Sequence, residues 1–215
     1  MSDSDGMTRI GCIVAPYAAK QVPVSRIERV AARPGDLAVA SETAAERYRR
    51  LAKRMPPSVA AALCDGSFAH CDATFAVVEW AASGTRGLLL RGGVGAGKSL
   101  AAALPLLSDV VFAGASWHRP DDFVSAVLHA YDDRAPKLGN RIVVVDDVGR
   151  ETKADLDEAL CAFIDDKDTR FILTTNLKRE DFRKRYDARL VDRLNHCAIA
   201  ITVKGESRRK QTGGF

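Results

Sequence analysis

The chain has 215 residues, of which 47% are hydrophobic and 28% charged, with a formal net charge of +4. That length holds one α/β domain of ordinary size with a small appendage and excludes two large domains. No apolar run is long enough to span a bilayer, and the polar opening Met1-Ser2-Asp3-Ser4-Asp5-Gly6 lacks the basic start and apolar stretch of a secretory signal; a cytoplasmic protein with no membrane partner is expected.

Residues 1–57 contain Pro16, Pro23 and Pro34 and no chemical motif. Thr43 with Glu46 makes a capping box for a helix crowded by Arg47, Arg49, Arg50, Lys53 and Arg54, which Pro56-Pro57 should stop. Such a charge run fits a solvated helix face, or a surface for an acidic partner or a nucleic-acid backbone. The expected organisation is an N-terminal, partner-binding arm over 1–57, a core over 58–205 and a flexible basic tail over 206–215. The cysteines Cys12, Cys64, Cys71, Cys161 and Cys197 are odd in number and scattered, which argues against a disulfide framework. Cys64, His70 and Cys71 form no C-x-x-C pair, so they read as small core residues and not as zinc ligands.

A helical stretch over 72–82 ends at Gly84 and leads into a strand over 87–91. Next comes Gly92-Gly93-Val94-Gly95-Ala96-Gly97-Lys98-Ser99, a complete G-x-x-x-x-G-K-S phosphate loop between an apolar strand and the helix former Leu100-Ala101-Ala102-Ala103-Leu104. Glycines there let successive backbone N–H groups turn inward towards phosphate oxygens at a helix N-terminus. Lys98 should reach the terminal phosphates of a nucleoside triphosphate, and Ser99 should coordinate a magnesium ion. Pro105 should shorten or kink the following helix.

Strands are expected over 109–115, 141–147, 170–175 and 198–203, with helices over 121–131, 153–163, 181–184 and 188–194. These continuous aliphatic runs suit a five-stranded parallel sheet sandwiched by helices. Thr152 with Asp155 should cap the helix over 153–163. Val143-Val144-Val145-Asp146-Asp147 is an apolar strand ending in two carboxylates, the form of a Walker B element. Asp146 is placed to meet Ser99 and the magnesium ion, and Asp147 to polarise an attacking water. The strand ending Thr174-Thr175-Asn176 puts an amide at the same edge, able to hold the water or sense the γ-phosphate. If that strand inserts between those bearing Lys98 and Asp146, Asn176 faces the γ-phosphate. Arg189 and Arg193 lie at i and i+4 on one helix face. Arg193 could act as an arginine finger in a neighbouring subunit's site, or the pair could belong to a surface helix salt-bridged through Asp187 or Asp192.

This order of motifs resembles the DnaC/IstB-like AAA+ ATPases, replicative helicase loaders and transposition helpers, over roughly residues 67–209. Gly92 to Ser99 matches the nucleotide loop, Val144-Val145-Asp146-Asp147-Val148-Gly149 the Walker B, Thr174-Thr175-Asn176-Leu177 the sensor 1, Arg189 to Leu194 the finger motif, and Val203-Lys204-Gly205-Glu206-Ser207-Arg208-Arg209 the C-terminal strand and Gly-x-Ser-x-Arg end. Arg150 after Gly149 departs from the pattern. The resemblance implies a P-loop NTPase of the AAA+ (ASCE) type without the C-terminal helical lid, ATP and Mg2+ as cofactors, and ATPase activity weak in an isolated monomer. It also implies homo-oligomers, single-stranded DNA, and a replicative helicase or another replication or transposition protein as partner. Residues 119–131 stand where the family grips DNA, but Phe123, Val127 and Tyr131 share one helical face and read as core.

Two other classes share part of the signal. Asp146-Asp147-Val148-Gly149 satisfies the D-x-x-G of a small GTPase, yet Asn176-Leu177-Lys178-Arg179 lacks the carboxylate of a guanine-reading N-K-x-D. A nucleoside kinase would need residues 178–185 as a mobile lid, which the apolar Phe182 opposes.

Overall fold

The computed structural model describes residues 44–64, 71–107, 115–130, 142–152, 155–165 and 169–204. The expectations placed on residues 1–43, His70, 109–114, Tyr131 and the tail lie outside them.

Five strands form one parallel sheet: β1 (Gly87–Gly92), β2 (Ser116–His118), β3 (Ile142–Val148), β4 (Arg170–Thr175) and β5 (Ala198–Val203). Their order across the sheet is β2-β3-β4-β1-β5. The strand carrying the Thr-Thr-Asn end therefore lies between the phosphate-loop strand and the double-carboxylate strand, as the insertion reading requires. The edge strand β2 differs from the expectation of a strand over 109–115: it begins after Ala115 and uses Ser116-Trp117-His118, which pair with Val143, Val144 and Val145. A short edge strand pairs through its backbone on one side only, so it has no need of a long apolar run.

Side chains of the central strands alternate between two cores. Leu88, Leu90, Ile142, Val144 and Ile172 pack with helices α1 (Ala44–Ala52), α2 (Pro57–Cys64), α3 (Asp72–Ser83) and α4 (Lys98–Ala102). Leu89, Val143, Val145, Phe171 and Leu173 pack on the opposite face with α5 (Pro120–Ala130), α6 (Leu156–Asp165), α7 (Arg179–Arg185) and α8 (Ala188–Cys197). Phe123, Phe163 and Phe171 stack edge to face through this second core, with centroids 5.2 and 5.9 Å apart.

Part of the segment expected as an N-terminal arm over 1–57 packs against the core. Leu51 and Met55 are buried in the first core beside Ala60 and Leu63. The basic residues conceal an apolar seam: Arg47 and Arg49 are exposed while Leu51 is fully buried. Pro105 has the expected effect, since α4 ends at Ala102 and a 3-10 turn over Leu104–Leu107 follows. The Thr152–Asp155 cap gives way to a longer-range contact, in which the Thr152 N–H and hydroxyl both donate to the Asp121 carboxylate, at 3.0 and 2.9 Å. Among the described residues no helix is long and apolar enough to cross a membrane.

Candidate active site

The site is built where β1, β3 and β4 end. Gly97, in the left-handed region at φ 91°, turns the loop into α4 and places Lys98 as the first helical residue. Lys98 is 5% exposed, and its Nζ donates to Gly92 O (2.9 Å), Gly93 O (2.8 Å) and Asn176 Oδ1 (2.8 Å). The Asn176 Nδ2 in turn donates to Asp147 Oδ1 at 3.1 Å. A continuous chain thus runs from the loop ammonium through the amide to a carboxylate, joining residues 98, 176 and 147 that three separate elements supply.

Asp146 and Asp147 are consecutive on a strand, where side chains ordinarily point to opposite faces. Here β3 bulges: Val145 pairs with Leu173 but Val148 pairs with Thr175, so β3 spends one residue more than β4 over that interval. Asp147 takes φ 63°, the one non-glycine residue in the left-handed region among those described. Parity changes accordingly, and Val148 joins the second core instead of the first. Thr174, fully buried on β4, donates its hydroxyl to Asp146 Oδ1 at 2.6 Å and accepts the Asp147 N–H at 2.9 Å.

Burial pushes the Asp146 carboxyl above the usual carboxylate range; hydrogen bonds from the Thr174 and Ser99 hydroxyls pull the other way, Asp147 adds to the rise and Lys98 opposes it. Ser99 is thus close enough to Asp146 to influence its carboxyl, and the two offer hard oxygen donors of the kind magnesium prefers. Among the described residues no group of three or more His, Cys, Asp or Glu is placed to hold a metal by itself. Phosphate oxygens and water would complete such a shell, which is how magnesium is usually held at nucleotide sites.

Of the sequence-derived residues, Lys98, Ser99, Asp146, Asp147 and Asn176 converge, with Gly92 to Gly97 forming the loop beside them. Arg193 does not join them. Its guanidinium forms a forked pair with Asp165 of α6, Nε to Oδ1 at 2.9 Å and Nη2 to Oδ2 at 3.1 Å. The expected salt-bridge partners Asp187 and Asp192 are thus replaced by Asp165; Asp187 instead caps α8 by accepting the Arg189 N–H. Phe123 and Val127 are buried in the second core, as their shared face implied.

Two residues here were missed by sequence reasoning. One is Thr174, quoted within the Thr-Thr-Asn end but given no role; counting alternate residues from Ile172 would have placed it on the face of Asp146. The other is Glu151, whose side chain is 4% exposed. It accepts from the Gly149 N–H (2.7 Å), Arg185 Nε (2.7 Å) and the Tyr186 hydroxyl (2.8 Å). Burial opposes its charge, but these hydrogen bonds hold its carboxyl below the ordinary Glu value. No short motif marks it. Residues 178–185, the lid a nucleoside kinase would need, include helix α7 with Phe182 buried and Arg185 fastened to Glu151, which speaks against that reading.

No family model and no curated protein sequence matches the chain. Among solved structures it is similar to AMPPCP-bound DnaA from Aquifex aeolicus, at 16% identity over 65% of this chain and 49% of that one, with TM-score 0.49. It is also similar to domain III of the Thermotoga maritima replication initiation protein DnaA, at 16% identity over 61% of each chain and TM-score 0.49. A third is a candidate primosome component from Streptococcus pyogenes, at 18% identity over 64% of this chain and 81% of that one, TM-score 0.45. The chain thus spans about half the length of the Aquifex protein it matches.

Proposed function

We propose that the chain is a magnesium-dependent ATPase of the AAA+ type that serves DNA replication in the cytoplasm as a DnaC-like helicase loader, acting on single-stranded DNA as a homo-oligomer. The observation that carries the reading is the Lys98–Asn176–Asp147 chain set beside the Ser99–Asp146 pair at one sheet edge. Loop N–H groups would receive the phosphates, and Lys98 would exchange the Gly92 and Gly93 carbonyls for phosphate oxygens. Ser99 and Asp146 would hold magnesium, which supplies charge neutralisation at the β- and γ-phosphates. Asn176 orients a water in line with the γ-phosphorus. Asp147 takes its proton as the new P–O bond forms and the bond to the ADP oxygen breaks. Arg193 would leave Asp165 to enter an adjoining protomer's site, so an isolated chain turns over slowly.

The test is ATP turnover by the full chain with and without single-stranded DNA, together with capture of a purified ring helicase. DNA-stimulated hydrolysis with helicase capture supports the loader. Capture of a transposase in its place assigns the chain to the IstB-like helpers, and a guanine preference or phosphate transfer to a nucleoside overturns the proposal. In the same assay Arg193→Ala should leave ATP binding intact and lower turnover about tenfold or more, since a trans-acting guanidinium stabilises charge only in the transition state. Unchanged turnover removes Arg193 from the mechanism.

A further inference from the structure

We infer that Thr174 is a positioning residue for the divalent cation: its single hydroxyl holds the β3 bulge in the shape that aims Asp146 at Ser99 while Asp147 turns towards Asn176. The inference rests on the nucleotide-site reading above and gives a role to Thr174, which the Thr-Thr-Asn strand end contains without assigning it one.

A threonine hydroxyl has one proton to give and lone pairs to receive. Thr174 uses both on neighbouring residues of the next strand, giving to the Asp146 carboxylate and receiving from the Asp147 backbone. The two contacts are not interchangeable. The first fixes which Asp146 oxygen is engaged, leaving Oδ2 outside that bond. The second satisfies an N–H that the bulge has taken out of the regular ladder, where a buried, unpaired N–H would be costly. Without that acceptor, no β3–β4 ladder pair between Val145 and Val148 would hold Asp147 at φ 63°, a region that aspartate visits more readily than most residues but still uncommonly. Relaxation of the bulge would restore strand parity and swing one of the two carboxylates off the site. The neighbouring hydroxyl has a different duty: Thr175 donates to Val148 O at 2.6 Å and accepts the Leu177 N–H at 3.1 Å, closing the strand end away from the carboxylates.

The experiment compares Thr174→Val, nearly isosteric but unable to hydrogen-bond, with Thr174→Ser, which keeps the hydroxyl. The readout is equilibrium binding of fluorescently labelled ADP to the full chain, in EDTA and across a magnesium titration. Measured against its own binding in EDTA, Thr174→Val is expected to need about tenfold more magnesium than the wild type for half of the metal-dependent gain in affinity, the size of effect that loss of an orienting hydrogen bond to a metal ligand produces. Thr174→Ser is expected to titrate like the wild type. Should the valine variant fail to fold, Thr174→Ala makes the same comparison. A magnesium midpoint unchanged in the variant lacking the hydroxyl overturns the inference, as does a shifted midpoint in Thr174→Ser. Failure of the wild type to bind labelled nucleotide at all would instead overturn the nucleotide-site reading, and the inference with it.

Discussion

Arg170 and Lys98 stand at opposite edges of the same sheet, and each spends its charge on backbone carbonyls. Arg170 opens β4 and donates to Trp80 O, to Ala81 O at 3.2 Å and to Thr85 O at 3.2 Å, with its guanidinium 4.0 Å over the Trp80 ring. It thereby closes the C-terminal end of α3, whose last carbonyls have no partners within the helix. Lys98 closes on Gly92 O and Gly93 O, but its third bond goes to the Asn176 side chain. The acceptors of Arg170 are fixed by a helix end, and its planar fork and stacking suit a permanent lock. Those of Lys98 belong to a glycine loop, are neutral, and can be given up for the stronger acceptors of a phosphate. On the proposed reading, the same chemistry is structural at one edge and exchangeable at the other.

Three substitutions bear on that contrast. The largest effect is expected from Lys98→Ala, which should weaken labelled-nucleotide binding at least a hundredfold while leaving the unfolding midpoint of the free chain within a few degrees; tight binding by this variant would refute the exchangeable role. Arg170→Met should do the reverse. It should lower stability by about 2–3 kcal/mol in denaturant titration, because several helix-end carbonyls and the Trp80 face lose their partner, and should leave nucleotide affinity of the folded fraction unchanged. Smallest is Asp146→Asn. A carboxyl whose folded-state pKa is raised holds its proton more tightly folded than unfolded, so stability falls as pH rises from the ordinary aspartate value through the raised one. At neutral pH the buried charge is a standing cost. The asparagine variant should therefore melt about 2–4 °C higher than the wild type in ligand-free calorimetry at pH 7, lose that advantage below the ordinary aspartate pKa, and lose the magnesium-dependent gain in nucleotide affinity.

The contrast also explains what could be read from the sequence. The phosphate loop, the double carboxylate and the Thr-Thr-Asn end are local signals, because each function needs particular residue types within a few positions of one another. The fold class followed from the runs around them, such as Val143-Val144-Val145 and Phe171-Ile172-Leu173, which must be buried on both faces. The bulge that turns Asp147, and the Thr174 hydroxyl beneath it, depend on register between strands 27 residues apart, which no window along one strand contains. The apolar seam of α1 was hidden for another reason. Leu51 in α1 and Met55 just after it are two residues among a crowd of arginines, and charge on the exposed face of a helix reveals nothing about what its other face meets. Arg193 was legible as a paired arginine, but its partner, 28 residues away on α6, was not.

Glu151 joins two stretches of the chain that are distant in sequence. Its carboxylate ties the Gly149 amide, two residues beyond Asp147, to Arg185 and Tyr186, immediately ahead of Asp187 at the head of α8. Gly149 sits at φ 106°, where a β-carbon would lie 2.7 Å from Leu177 Cδ1, so this turn requires glycine. One shielded carboxylate therefore links the turn after the double carboxylate to the approach of the helix bearing Arg189 and Arg193 through a charge-assisted bond.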